Sequence, residues 1–140
     1  MTMTYSEALT VIESHLHNNW TATPVAYDNV EPLDYTDDVK TLLSDGSSPY
    51  IELKTIFADS HAAETGPNAV KISWGYINAT FYSKESTGAK VNQTNIDTLC
   101  GLFEYQRIGG IVFKEMTVLT PFRSGGWYAT PTMLRFYFTR

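Results

Sequence analysis

The chain has 140 residues, of which 43% are hydrophobic and 14% aromatic, and its formal net charge is −5. This length suits one domain with a sizeable core, and the composition excludes a disordered polypeptide. The acidic balance argues against a surface that binds the phosphates of nucleic acids or of anionic membranes. No apolar run is long enough to span a membrane.

An amphipathic helix is predicted over residues 4–20. The run Thr4-Tyr5-Ser6-Glu7 has the spacing of a capping box, in which the Thr hydroxyl and the Glu carboxylate satisfy free backbone N–H groups at a helix start. Apolar side chains then recur every three or four residues, which predicts one buried stripe. They are Tyr5, Ala8, Leu9, Ile12 and Leu16. His15 and His17 fall on different helical faces, so we expect them to be solvated and unable to share a metal ion.

A short strand is predicted over residues 25–27, because Pro24 disfavours helical backbone just before it. Residues 31–49 read as a long polar loop, with a short helical turn possible over residues 37–43. Loops of this length in a compact domain are typical of interaction surfaces or mobile arms. A strand over residues 50–57 and a second polar loop over residues 59–68 follow.

The second half of the chain alternates between strand and helix patterns. From Val70 onward the apolar pattern changes face at Gly75, which predicts a β-bulge or bend there. A second helix is predicted over residues 88–103, followed by strands over 111–119 and 132–139 that should pair antiparallel. We therefore predict a single α+β domain spanning residues 1–140, with a mainly antiparallel sheet of about five strands and two helices packed on one face.

Catalytic and cofactor motifs are lacking in the sequence. Asp34, Asp37 and Asp38 form the densest acidic group, but they lack the spacing of a calcium-binding loop. The Gly pairs at 109–110 and 125–126 sit in turns without the pattern of a phosphate-binding loop. Cys100, the single cysteine, can form no intramolecular disulfide and suits a small buried hydrophobic position. We predict no enzyme activity, no cofactor and no bound metal.

The aromatic segment over residues 122–128 is the strongest candidate for an interaction surface. Aromatic and Arg side chains are enriched in the cores of protein interfaces, which favours an oligomer contact through Phe122, Arg123, Trp127 and Tyr128. Two alternatives stay open, namely packing within the chain and stacking on single-stranded nucleic acid. The acidic composition disfavours the second of these.

Several segments in this order resemble a family of phage proteins. They are the helix to Trp20, the run 23–30, Pro49 to Leu53, and the helix that starts at Gly88 and includes residues 99–103. The chain resembles the tail terminator family of long-tailed bacteriophages, including the lambda type, and minor tail proteins of that kind. The resemblance implies a structural virion protein without catalytic residues, made in the host cytoplasm and located in the tail or neck.

Further expectations come from the same resemblance. Members of the family form a hexameric ring that caps the head-proximal end of the tail tube, stops its polymerisation and joins it to the head connector. The implied partners are other copies of the chain, the tail tube protein and the connector or head-closure protein, with no membrane. Another neck protein, such as a head-closure or tail-completion factor, and a small ligand-binding α+β module remain alternatives.

The net charge adds an expectation about the channel of such a ring. Asp34, Asp37, Asp38 and Glu64 lie in the predicted polar loops and are candidates to face the channel. Negative side chains repel the DNA backbone, so genomic DNA should pass without specific binding.

Overall fold

The structure is a computed structural model that describes residues 2–27, 49–62 and 65–140. These residues form two helices and seven strands. In chain order they are α1 (Tyr5–Asn19), β1 (Val25–Tyr27), β2 (Tyr50–Ala62), β3 (Lys71–Lys84), α2 (Lys90–Phe103), β4 (Arg107–Ile108), β5 (Ile111–Val118), β6 (Phe122–Ser124) and β7 (Trp127–Thr139). Within this part of the chain, neither helix is both long and apolar enough to cross a membrane.

The sheet is mixed, in the order β1-β2-β3-β7-β5-β4, with β6 also paired to β7. The α+β class and the two helices are confirmed, but the prediction of about five mainly antiparallel strands was wrong. β1 pairs parallel with β2, which requires a long connection, and residues 28–49 supply one. β4 and β6 add strands of two and three residues, too short to show a periodic pattern.

Both helices pack on the same face of the sheet. The capping box is present at Thr4 and Glu7, and the buried stripe of α1 consists of Ala8, Ile12 and Leu16. α2 buries a second stripe, and the two stripes share one hydrophobic core with the inward side chains of the long strands. The largest of these inward side chains are Phe81, Phe113, Phe136 and Phe138. The opposite face of the sheet has no helix over it among the described residues.

Gly75 marks a sheet irregularity, but not in its own strand. β3 pairs with β7 without interruption from Ile72 to Lys84, so the predicted bulge at Gly75 was wrong. The register shift lies in the neighbouring β2, between Phe57 and Ser60, directly beside the pairing of Phe57 with Gly75. β2 also continues to Ala62, into the region predicted as a loop. The apolar pattern changes face because β3 carries large apolar side chains on both of its faces.

Two hairpins turn on pairs of glycines. Gly109 and Gly110 join β4 to β5, and Gly125 and Gly126 join β6 to β7. All four have positive φ, between 57° and 92°, which is the backbone of the two-residue turns that suit the twist of β-hairpins. They are hairpin glycines, as predicted. The connection predicted over residues 121–131 is therefore mostly strand.

Candidate interaction surface

The first two residues predicted for the interface lie on β6, at the side of the sheet. Phe122 is 45% exposed, which is unusual for a large aromatic side chain. The guanidinium Nη1 of Arg123 lies 3.3 Å from the Glu85 carboxylate Oε1, and both side chains are well exposed. A surface ion pair of this kind contributes about 0–1 kcal/mol, so Arg123 remains available to a partner.

The other two predicted residues, on β7, are engaged within the chain. The Trp127 ring meets the Tyr50 ring edge to face at a centroid distance of 5.0 Å, and Tyr82 stacks on Tyr50 at 4.7 Å. The backbone carbonyl of Tyr128 accepts a hydrogen bond of 3.1 Å from the Asn92 side chain of α2. Trp127 and Tyr128 are both half-buried. Phe122 is thus the member of the set that offers free apolar surface.

Phe122 belongs to a larger apolar strip that we call the apolar edge, formed by Val118, Leu119 and Phe122. Their exposed fractions are 47%, 41% and 45%. β4 pairs with the first two residues of β5, and residues 104–106 hydrogen-bond to β5 as far as Met116, so among the described residues the end of β5 and β6 form the outer side of the sheet. An exposed, apolar strand edge is a template for pairing with another chain.

Sequence reasoning missed Val118 and Leu119. Both continue the apolar pattern of β5 and so resemble ordinary core positions. The available signal was Pro121, which cannot donate a backbone hydrogen bond and is typical of the edge of a sheet.

The predicted channel-facing acids are Asp34, Asp37, Asp38 and Glu64. All four lie outside the described residues. The expectation that they line an opening therefore stays a prediction.

Candidate catalytic groups are dispersed in the described part of the chain, where no group of three His, Cys, Asp or Glu side chains could hold a metal ion. His17 and His61 are exposed. His15 was expected to be solvated, and that was wrong. Its Nε2 lies 3.0 Å from the carbonyl oxygen of Leu102, and its ring packs edge to face on Phe103 at 4.9 Å. His15 therefore links α1 to α2 through a hydrogen bond and a ring contact.

The Cys100 thiol is half-buried beside Met116, with 3.4 Å between the two sulfur atoms. Burial, followed by the nearby carboxylates of Glu104 and Asp97, raises the pKa of this thiol above its ordinary value of 9.0. Only the thiolate is nucleophilic, so a raised pKa disfavours a role for Cys100 as a nucleophile at neutral pH.

We expect alkylation of Cys100 by iodoacetamide to begin at a higher pH in the folded protein than in the protein unfolded in urea. The folded thiol keeps its proton to a higher pH, and its exposure is smaller. Mass spectrometry across a pH series from neutral to about pH 11 would measure both profiles, around the ordinary thiol value. Alkylation that begins in the folded protein at the same pH as in the unfolded protein, or at a lower pH, would contradict the raised pKa of Cys100.

Comparisons with known proteins bear on the fold. No family model and no curated protein matches the chain. Among the solved structures that the chain resembles is one whose name states no function, with a TM-score of 0.69 and 14% sequence identity. The match covers 97% of this chain and 96% of the other. At this identity the likeness concerns the fold, and it extends over nearly the whole chain.

Proposed function

We propose that this protein is a structural subunit that assembles into a hexameric ring and closes the head-proximal end of a phage tail tube. In this role it ends polymerisation of the tube protein and offers a docking surface to the head connector. The observation that carries the proposal is the apolar edge of Val118, Leu119 and Phe122, which leaves three large side chains in water in the isolated chain. Apolar surface of this kind marks protein contacts.

A ring also needs a second, different surface on each subunit. Contacts between unlike surfaces repeat around an axis, whereas contacts between like surfaces give a closed pair. The two outer edges of the sheet are different surfaces, as a ring requires. On the side opposite the apolar edge, β1 covers β2 only from Ile51 to Leu53, so the remainder of β2 has no strand on that side among the described residues. Each subunit thus presents two unlike sheet edges.

The overall charge suits a ring through which DNA passes. Six copies of a chain with net charge −5 would carry about −30, and a negative assembly repels the phosphate backbone instead of retaining it.

The apolar edge is tested by Leu119→Asp, with Val70→Asp as the matched control. Leu119 is 41% exposed and Val70 is 38% exposed, but Val70 lies before β3, away from the edge. A carboxylate at the edge should weaken each contact by about 2 kcal/mol or more, because interface hot spots are desolvated. We expect wild type and Val70→Asp to form rings on isolated tail tubes, and Leu119→Asp to remain monomeric in light scattering and electron microscopy.

Two results would contradict the proposal. Rings formed equally well by Leu119→Asp would show that the interface lies elsewhere. A wild-type protein that neither assembles nor stops the growth of tail tubes in vitro would exclude the terminator role itself. In that case the alternative of another neck protein would be tested by binding to head connectors in place of tubes.

A further inference from the structure

The face of the sheet that has no helix over it among the described residues carries two neighbouring aromatic rings with a cation at each end. Lys114 Nζ lies 6.0 Å from the centroid of the Tyr137 ring. The Tyr137 and Trp74 rings are 4.7 Å apart, and the Arg135 guanidinium carbon lies 5.1 Å from the Trp74 ring centroid. We call Lys114, Tyr137, Trp74 and Arg135 the cation–aromatic line. It crosses three neighbouring strands, β5, β7 and β3.

Neither cation of this line forms an ion pair with a carboxylate in the part of the chain that the structure describes. Among the described residues, the ion pairs are Lys54 with Glu52 and Arg123 with Glu85, and neither includes Lys114 or Arg135. Phe113 pairs with Phe136, and the register of β5 and β7 shifts between Phe113 and Met116, so Lys114 lies in an irregular stretch of β5 and Arg135 lies opposite it on β7 without a paired partner there. Sheet irregularities of this kind often re-aim a side chain beside a functional site.

A cleft of about 360 Å³ adjoins Arg135 and Trp74, and Tyr76 and Met133 also line it. Its wall on the β2 side carries Asp59 and His61, both exposed. The cleft therefore has an apolar floor, a cationic side at Arg135 and a polar side on β2. A segment bound there would turn its negative groups toward Arg135 and Lys114 and away from Asp59.

We propose that the cation–aromatic line and its cleft form a docking surface for an extended, acidic segment of a partner protein. Carboxylates would bind Arg135 and Lys114, since Arg binds a carboxylate through two parallel hydrogen bonds. An extended segment places every second residue on one side, so a segment with acidic residues at alternate positions would present a row of carboxylates along the line. The proposal does not depend on the identity of the chain as a tail protein.

The geometry favours an acidic peptide over single-stranded nucleic acid. Bases bind such proteins by stacking on free aromatic faces. Here the Trp74 ring already has Arg135 over it and Tyr137 beside it, and the Tyr137 ring has Lys114 over it. What the surface still offers is the N–H groups of the guanidinium and the ammonium. The line itself holds two cations, fewer than the several phosphate contacts that tight binding to a polyphosphate chain requires.

The test uses a fluorescently labelled peptide of alternating Glu and Ser, with a Gln and Ser peptide as the neutral counterpart, in fluorescence anisotropy titrations. We expect the full-length protein to bind the acidic peptide and not the neutral one. The double variant Lys114→Gln/Arg135→Gln should weaken binding at least about tenfold, because hydrogen bonds to charged groups are the stronger class. The charge-matched control Lys84→Gln/Lys90→Gln should bind as wild type does.

A second variant separates binding from folding. Arg135→Lys keeps the charge but loses the two-point contact with a carboxylate, so we expect a smaller loss of affinity than in the double variant. Thermal melting of each variant establishes that it is folded. The proposal would be overturned if wild type and Lys114→Gln/Arg135→Gln bound the acidic peptide equally well. It would also be overturned if Lys84→Gln/Lys90→Gln lost as much affinity as Lys114→Gln/Arg135→Gln. Tighter binding of oligothymidylate than of the acidic peptide would overturn it in favour of nucleic acid.

Discussion

Phe136→Ala should lower the free energy of unfolding by about 3–5 kcal/mol, the range expected when a buried aromatic side chain is removed from a core. Phe136 is fully buried on β7. Its ring centroid lies 6.0 Å from that of Phe57, 5.9 Å from Phe113 and 6.3 Å from Phe138. Removing it leaves a cavity lined by rings from β2, β5 and β7. Such a loss is a large part of the stability of a single domain, which is roughly 5–15 kcal/mol.

The chain offers a matched control for this substitution in Phe122→Ala. The chemical change is the same, but Phe122 is 45% exposed on the apolar edge, so we expect a change in stability within about 0.5 kcal/mol. Urea unfolding at low protein concentration would measure both variants without a contribution from assembly. Similar decreases in the free energy of unfolding for Phe136→Ala and Phe122→Ala would mean that the core is not centred on Phe136.

The parts of the fold that depend on local chemistry could be predicted from the sequence. The capping box needs only Thr4 and Glu7, and the buried stripe of α1 needs only the spacing of Ala8, Ile12 and Leu16. Strand β1 was also predicted, because Pro24 and the apolar run after it are local signals. Its parallel pairing with β2 was not predictable, since the partner strand lies beyond residues 28–49. Strand partners are decided by the whole sheet and not by the neighbouring residues.

The two errors in the long strands, the bulge predicted at Gly75 and the early end predicted for β2, have separate physical causes. β3 is half-buried on its outer face and buried on its inner face, so side chains such as Trp74 and Ile77 are both apolar although they point to opposite faces. An alternation rule then finds a change of register where there is none. The true irregularity, between Phe57 and Ser60, lies in a run of mixed polarity that reads as the end of a strand.

The candidate surface could be located from the sequence only to within a segment. The run of aromatic residues over 122–128 predicts a contact region, but which ring is free depends on neighbours that are distant in sequence. Trp127 packs on Tyr50 of β2, whereas Phe122 has no ring contact among the described residues. The cation–aromatic line was not predicted, since its members come from three strands. Its signal is visible only once β3, β5 and β7 are placed side by side.

Gly75→Ala should lower the stability by about 1–3 kcal/mol, as expected for overpacking of a core, whereas Gly101→Ala should raise it by about 0.5–1 kcal/mol. A β-carbon at Gly75 would lie 2.6 Å from the carbonyl oxygen of Ile56 and 2.7 Å from Cζ of Phe136. Gly75 does not have a positive φ, so the cost arises from space and not from backbone strain. At Gly101, in α2, a β-carbon would meet nothing within 4 Å.

The opposite signs follow from what each methyl group meets. In both positions alanine reduces the freedom of the unfolded chain, which favours folding by about 0.4–1 kcal/mol. In α2 that gain is unopposed. In β3 the neighbour is a backbone carbonyl of the paired strand, which cannot move without breaking the pairing of β2 and β3 beside the register shift at Phe57. The urea midpoints of wild type, Gly75→Ala and Gly101→Ala, measured side by side, test the sign of each change in stability. A Gly75→Ala protein as stable as wild type would mean that β2 and β3 can separate there at little cost.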